Sequence, residues 1–277
     1  MRIITSLERL ILDPHPLRTI GLRFIRRFNL GSYAYRLQNG VVERPHYGYC
    51  LFQGARLAKK LGHPRVSVLE FGVAGGRGLL SLEYHAAEVS RSLGIEIDIY
   101  GFDTGKGLPV PVDYRDLPYH WKEGFYSMDR GKLEARLKKA RLVIGDIRET
   151  APSFCAEHDP APIAAMMHDF DFYSSTAAAL RIFEAPERYF LPRVFCYFDD
   201  IVGDEIALYN DYTGERLAIN EFNATHATKK IAAPAHFLTR AVRETWHSQI
   251  FVQHDFAHSR YNDFVGEGND QLPLLDS

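Results

Sequence analysis

Val66-Ser67-Val68-Leu69-Glu70-Phe71-Gly72-Val73-Ala74-Gly75-Gly76-Arg77-Gly78 is the stretch on which the fold turns. An apolar run reaches an acid, bends through four glycines and enters a helical pattern at Leu79-Leu80-Ser81-Leu82. Glycine lets the backbone turn tightly and come close to a ligand. The helix N-terminus behind it offers free N–H groups. Such a corner, at the carboxyl end of a first parallel strand, is a nucleotide-type site. The Lys-Ser/Thr of a phosphate-cradling P-loop is missing. Taken alone, the stretch also fits an ordinary glycine-rich corner between strand and helix.

One helix further on, Ile95-Glu96-Ile97-Asp98-Ile99-Tyr100-Gly101-Phe102-Asp103 alternates and then closes on an apolar run ending in an acid. An acid at the tip of a second strand is where a doubly wound fold holds a ribose diol, each carboxylate oxygen accepting one hydroxyl. Other strand patterns follow at 141–145, 163–167 and 194–198, with helical patterns near 77–92, 130–140, 174–190 and 204–222. This alternation predicts an α/β, Rossmann-like, doubly wound and mostly parallel seven-stranded sheet with helices on both faces. The segment 250–256 is a strand candidate that could pair antiparallel at the sheet edge. Residues 104–129, rich in Pro, Tyr and Gly, read as an inserted lid loop.

The chain of 277 residues is 46% hydrophobic and 25% charged, with a formal net charge of −2. One large domain fits these values: a helical N-terminal extension over 1–47, the main domain over 48–265 and a frayed tail over 266–277. Near-neutral charge gives no field toward nucleic acid. Cys50, Cys155 and Cys196 are scattered, with no CxxC, so neither a disulfide framework nor a zinc knuckle is expected and a cytoplasmic setting is. No apolar run approaches a membrane span, and Glu8, Arg9 and Asp13 interrupt any signal-peptide core. Residues 17–28 are basic and amphipathic. They read either as a peripheral membrane or partner surface, or as a helix packed on the domain with solvated arginines, the latter favoured. The extension is also the natural place for a homodimer contact.

Two strand tips carry paired acids: His168-Asp169-Phe170-Asp171-Phe172 and Phe198-Asp199-Asp200. In a parallel sheet both open on the edge that holds the glycine loop. Asp169 and Asp171, two residues apart, face one side of an extended segment. Four converging carboxylates repel unless a hard divalent cation, Mg²⁺ or Ca²⁺, takes their oxygens. Such an ion lowers a hydroxyl pKa and orients it while a nearby carboxylate takes the proton. The competing reading is helix capping, by Asp169 or Asp171 ahead of Ser174-Ser175-Thr176 and by Asp200 ahead of the next helix.

Together these segments resemble the class I S-adenosylmethionine-dependent methyltransferases, and more closely the macrocin O-methyltransferase family of metal-dependent sugar methyltransferases. The likeness runs over roughly 66–223, through Glu70–Gly76, Tyr100–Pro109, Gly145–Pro152, Asp169–Thr176 and Phe198–Asp200. It implies Glu70, Gly72, Val73, Ala74 and Gly76 around the methionine part of S-adenosylmethionine, Asp103 at the ribose, and Asp146 with Ile147 near the adenine. It implies Asp169, Asp199 and Asp200 as ligands of a magnesium-type ion and Asp171 as the general base on a hydroxyl acceptor, a sugar or glycosylated small molecule. The chain departs from the pattern at Gly105, where the family has an aromatic residue, at Phe170, where it has a small one, and at Met167, where it often has His. These departures bear on the acceptor more than on the cofactor. Two other readings are a non-catalytic cofactor- or partner-binding protein on the same fold, and a dinucleotide oxidoreductase, which leaves the acids at 169–171 and 199–200 unexplained. Among the histidines, His120 in the lid is the candidate for acceptor contact.

Overall fold

A computed structural model describes residues 16–240 and 243–266. The expected tail beyond 266 and the first fifteen residues of the extension lie outside the described residues. Among the described residues three helices precede the sheet: α1 (Pro16–Phe28), α2 (Tyr33–Gln38) and α3 (Pro45–Lys60). Then come β1 (Arg65–Phe71), α4 (Arg77–Leu93), β2 (Glu96–Asp103), α5 (Arg130–Glu134), β3 (Arg141–Ile144), α6 (Ile147–His158) and β4 (Ile163–His168). They are followed by α7 (Tyr173–Leu180), β5 (Phe190–Phe198), α8 (Gly214–Thr225), β6 (Lys229–Ala232) and β7 (Ile250–Asp255). The sheet has seven strands in the order β3-β2-β1-β4-β5-β7-β6. The first five are parallel, and β7 runs antiparallel to both β5 and β6. The reversal of strand order between β1 and β4 makes the switch point at which doubly wound sheets bind ligands.

Side-chain alternation on β1 feeds two cores. Val66 and Val68 join the cluster with α3 and α4, while Leu69 and Phe71 join the cluster with α6, α7 and α8. Both faces are therefore covered, as a parallel sheet requires. Register then sets the site. Phe71 lies opposite Phe102 on β2 and His168 on β4, and His168 lies opposite Phe198 on β5. The four aromatic rings form a continuous row across the strands, with neighbouring centroids 4.8, 4.9 and 4.4 Å apart. The next residues along the chains, Gly72, Asp103, Asp169 and Asp199, consequently emerge at one level on the carboxyl edge.

Several elements differ from the sequence reading. The 130–140 helix stops at Glu134, and Glu83 accepts the backbone N–H groups of Lys138, Lys139 and Ala140, holding them out of a helix. The 174–190 helix ends at Leu180 and continues as short 3₁₀ turns around Pro186. The 204–222 helix begins only at Gly214. Helix α6, which contains Pro152, and the short strand β6 were not expected. The tail strand is antiparallel, but β6 covers it, so β7 lies one place inside the edge. Helix α1 is largely uncovered along its described side chains: from Ile20 to Phe28 every residue is exposed except Leu22 and Ile25, which are half-buried. Helix α2 does dock, through a Tyr33 hydroxyl–His85 bond of 2.8 Å and a buried Arg36–Glu88 pair of 3.1 Å.

Candidate functional site

One cavity of about 890 Å³ opens on the carboxyl edge, and every cofactor, cation and base candidate from the sequence except Gly76 lines it. Gly76 is instead the left-handed N-cap of α4 behind the loop. At the tip of β2, one oxygen of Asp103 accepts the N–H groups of Val73 and Ala74 at 3.0 and 2.8 Å, and the other accepts that of Gly105 at 2.6 Å. Asp103 thus braces the glycine loop with two of its four lone pairs and the turn after β2 with a third. Asp146 caps α6 through the Arg148 N–H and pairs with the Arg148 guanidinium, which holds its carboxyl below the usual range. Ile147 is buried beside it.

Glu70 lies on β1 between the two halves of the cavity. It is buried, accepts the Tyr47 hydroxyl at 3.0 Å on one oxygen, and has no partner on the other. Burial pushes its carboxyl up to about 8, with the Tyr47 bond and Arg44 acting in the opposite direction. Two glycines make room here. A Cβ on Gly78 would lie 1.7 Å from the Glu70 carboxylate, and a Cβ on Gly72, whose φ is +85°, would lie 1.8 Å from the Asp169 carbonyl oxygen.

The tips of β4 and β5 gather the remaining acids. One oxygen from each of Asp169, Asp199 and Asp200 lies within 4.8 Å of the others. Asp171 stands beside them at φ +61°, a left-handed conformation that is strained for a residue with a side chain, and its N–H donates to Asp200 at 2.9 Å. Asp200 also accepts the Tyr209 hydroxyl at 2.8 Å, and Asp199 accepts the Tyr197 hydroxyl. Burial first, and then the neighbouring carboxylates, push Asp171 up to about 9 and Asp200 up to about 7; Asp169 is driven well above its ordinary value for the same reasons. Buried carboxylates at these distances favour a shared proton or a bound cation. The donor set is all oxygen, as a hard divalent ion requires.

The capping alternative for these acids is not what the structure has. Phe172 is the N-cap of α7 and makes no side-chain cap bond. The cap comes from the lid. Asp116, fully buried, accepts the Ser174 N–H at 2.8 Å and the Ser174 hydroxyl at 2.9 Å. Asp171 is therefore left to the cavity. The lid is tied down again where the Tyr119 hydroxyl donates to the Ala207 carbonyl at 2.7 Å. His120 packs on Trp121 and Tyr209 but does not line the cavity, whereas Trp121 and Tyr126 do.

Four contributors escaped the sequence reading. Arg44, in a left-handed conformation at the start of α3, lines the cavity. Burial opposes its charge, yet Tyr47, Asp169, Glu70 and Asp199 together raise its pKa. Glu215, fully buried in the first turn of α8, accepts the Asp200 N–H at 2.9 Å on one oxygen and has no partner on the other. Asp116 and Tyr126 come from the lid. None sits in a recognisable motif, and they share no sequence sign: Arg44 precedes Pro45 and Glu215 follows Gly214, but Asp116 stands between Arg115 and Leu117.

No protein-family model matches the chain, and no curated protein matches it. Solved structures do. A crystal structure of CalS11, a calicheamicin methyltransferase, superposes with a TM-score of 0.51 at 22% identity, over 87% of this chain and 93% of that one. The chain has the class I methyltransferase fold. An apo structure of CalS11, described as a TDP-rhamnose 3′-O-methyltransferase, gives 0.44 at 23% identity over 87% and 94%. The O-methyltransferase TomG from Streptomyces achromogenes, with S-adenosylmethionine, gives 0.41 at 13% identity over 91% and 94%.

Proposed function

We propose that the protein is an S-adenosylmethionine-dependent O-methyltransferase of the macrocin O-methyltransferase type, acting on a hydroxyl of a sugar or glycosylated small molecule with a divalent cation. The observation that carries this reading is the opening of the glycine loop and the four strand-tip acids into one cavity. Glu70, with an unpartnered oxygen in a buried position, suits the α-ammonium of the cofactor, which would restore its charge. The loop that Asp103 braces holds the methionine end, and Asp103 keeps one lone pair for a ribose hydroxyl. Asp146 and Ile147 border the adenine.

Asp169, Asp199 and Asp200 would hold a magnesium-type ion, which supplies a lowered acceptor pKa and a fixed acceptor orientation. With the cation's charge offsetting the neighbouring carboxylates, Asp171 would be ionised and would receive the acceptor proton. Bound S-adenosylmethionine would supply an electrophilic methyl group to the acceptor oxygen, its sulfur departing as a neutral thioether, so the site would need no acid for departure. Alignment at near-attack distance and exclusion of water are the protein's remaining tasks. Phe170, Trp121 and Tyr126 provide apolar cover for them, and flat aromatic faces also suit the C–H face of a sugar ring.

The test is calorimetric titration with S-adenosylmethionine and S-adenosylhomocysteine, in magnesium and in chelator, followed by methyl transfer to free and nucleotide-linked deoxysugars. Cofactor binding with magnesium-dependent transfer is expected. Absence of binding under both conditions overturns the reading, and full activity in chelator removes the cation from it.

A further inference from the structure

Helix α1 presents a face that the methyl-transfer chemistry does not use. Ile20, Phe24 and Phe28 recur every four residues, so they share one side of the helix. They are 54%, 59% and 56% exposed, and Leu30 just beyond them is exposed as well. The Phe24 and Phe28 rings lie 5.0 Å apart and form a continuous apolar surface. The same helix carries Arg23, Arg26 and Arg27, and among the described residues no ion pair joins any of the three to an acid. From Pro14 to Val42 the sequence has five arginines and neither Asp nor Glu, although the whole chain is weakly acidic.

Charge decides between the occupants such a face could have. A second copy of the chain would meet this patch with the same patch across a two-fold axis, setting arginines against arginines. An uncharged apolar groove would cover the phenylalanines and leave the arginines without partners. An anionic lipid surface satisfies both sets, with phosphates at the arginines and the acyl boundary under the aromatic rings. At 13 residues the helix lies on a bilayer and does not span it. We propose that α1 is a membrane-docking helix selective for anionic lipid.

The test uses the full chain with vesicles of phosphatidylcholine and with vesicles of equal parts phosphatidylcholine and phosphatidylglycerol. Co-sedimentation is expected with the mixed vesicles only, with release in high salt, since exposed charges are screened there. Changing Arg23, Arg26 and Arg27 together to Glu should weaken binding on the order of a hundredfold or more. Phe24→Ser with Phe28→Ser should abolish it while thermal unfolding and cofactor binding stay as in the parent protein. No sedimentation with mixed vesicles, equal binding to both vesicle types, or binding that survives both variants overturns the proposal. A dimer in solution that the phenylalanine variant dissociates, without vesicle binding, overturns it in favour of a second copy. Cofactor and acceptor results bear on none of these outcomes.

Discussion

The tip of β2 and the tips of β4 and β5 stand on the same edge of one sheet, yet they treat their carboxylates in opposite ways. Asp103 is surrounded by backbone donors, three N–H groups converging on its two oxygens. Asp169, Asp171, Asp199 and Asp200 are surrounded chiefly by one another. The first arrangement is complete within the chain and fixes the glycine loop in advance of any ligand. The second crowds carboxyls that hold their protons well above the usual range, and has a strained backbone at Asp171. Strain and crowding of this kind persist only where the surrounding structure enforces them, and they mark places where function uses them. One half of the cavity is preorganised, and the other half is poised to take up positive charge.

Removing the proton acceptor separates the halves most sharply. Asp171→Asn should lower turnover roughly 10²–10⁴-fold, the range for loss of a general base. Cofactor affinity, read by calorimetry, should stay at the parent value, because Asp171 belongs to the acid half alone. A matching loss of affinity would show that the halves are not separable and would count against the base assignment.

Gly72 tests the seam between them. An added Cβ would meet the Asp169 carbonyl oxygen at 1.8 Å, on a backbone at φ +85°. Gly72→Ala should therefore destabilise by roughly 3 kcal/mol, since overpacking and a disfavoured conformation add. Gly75, three residues on, has nothing within 4 Å of where a Cβ would stand, so Gly75→Ala should change the urea midpoint little. Equal effects at the two positions would mean that the loop, rather than the seam, is what Gly72 protects.

The crowding itself has a pH signature. Unperturbed Asp titrates near 3.9, while Asp200 is pushed up to about 7 and Asp171 up to about 9. The folded state therefore holds more protons than the unfolded chain between about pH 4 and 9, and stability falls as pH rises through that window. Thermal midpoints of the cation-free protein should drop between pH 6 and 9, by roughly 2–4 °C for each kcal/mol of linkage. Magnesium should restore more at pH 8 than at pH 6, because it replaces protons that are already leaving. A midpoint that rises over this range would mean the acids are not crowded in solution.

The two halves were unequally legible in the sequence. The glycine loop, Asp103 and the acid pairs each sit at the end of an apolar strand run, and parallel alternation puts strand ends on one edge. Their clustering followed from local pattern plus topology. Arg44 reaches the cavity, and Asp116 and Glu215 reach the Ser174 and Asp200 backbone behind its wall, from segments whose course depends on packing. Asp116 bonds to Ser174, 58 residues away, and nothing local to Asp116 signals that partner. The same limit explains the helix ends. Glu83 strips N–H groups from the helix expected to continue past Glu134, through a contact more than fifty residues distant in sequence. Strand β6 is four residues long and begins with two lysines, a pattern that suits a protected sheet edge and offers too little alternation to be read as a strand.

Beneath both halves runs the aromatic row Phe102, Phe71, His168, Phe198, and its one polar member gives the smallest expected effect. His168 is fully buried and stacks on Phe198 at 4.4 Å with the planes 8° apart. Neither ring nitrogen has a hydrogen-bond partner, and burial holds the imidazole down to about 3, so it is neutral with one N–H unsatisfied. An unpartnered buried donor costs about 1–3 kcal/mol, and a benzene ring, slightly larger, returns part of that gain as overpacking. His168→Phe should thus stabilise the protein by about 1 kcal/mol, read as a higher urea midpoint at unchanged slope. The row would then be apolar throughout, and the acids above it would lose a polarisable neighbour without losing a ligand. If the variant is instead less stable than the parent, the imidazole has a partner in solution, and the acid half draws on the layer below it for charge compensation as well as on whatever cation it binds.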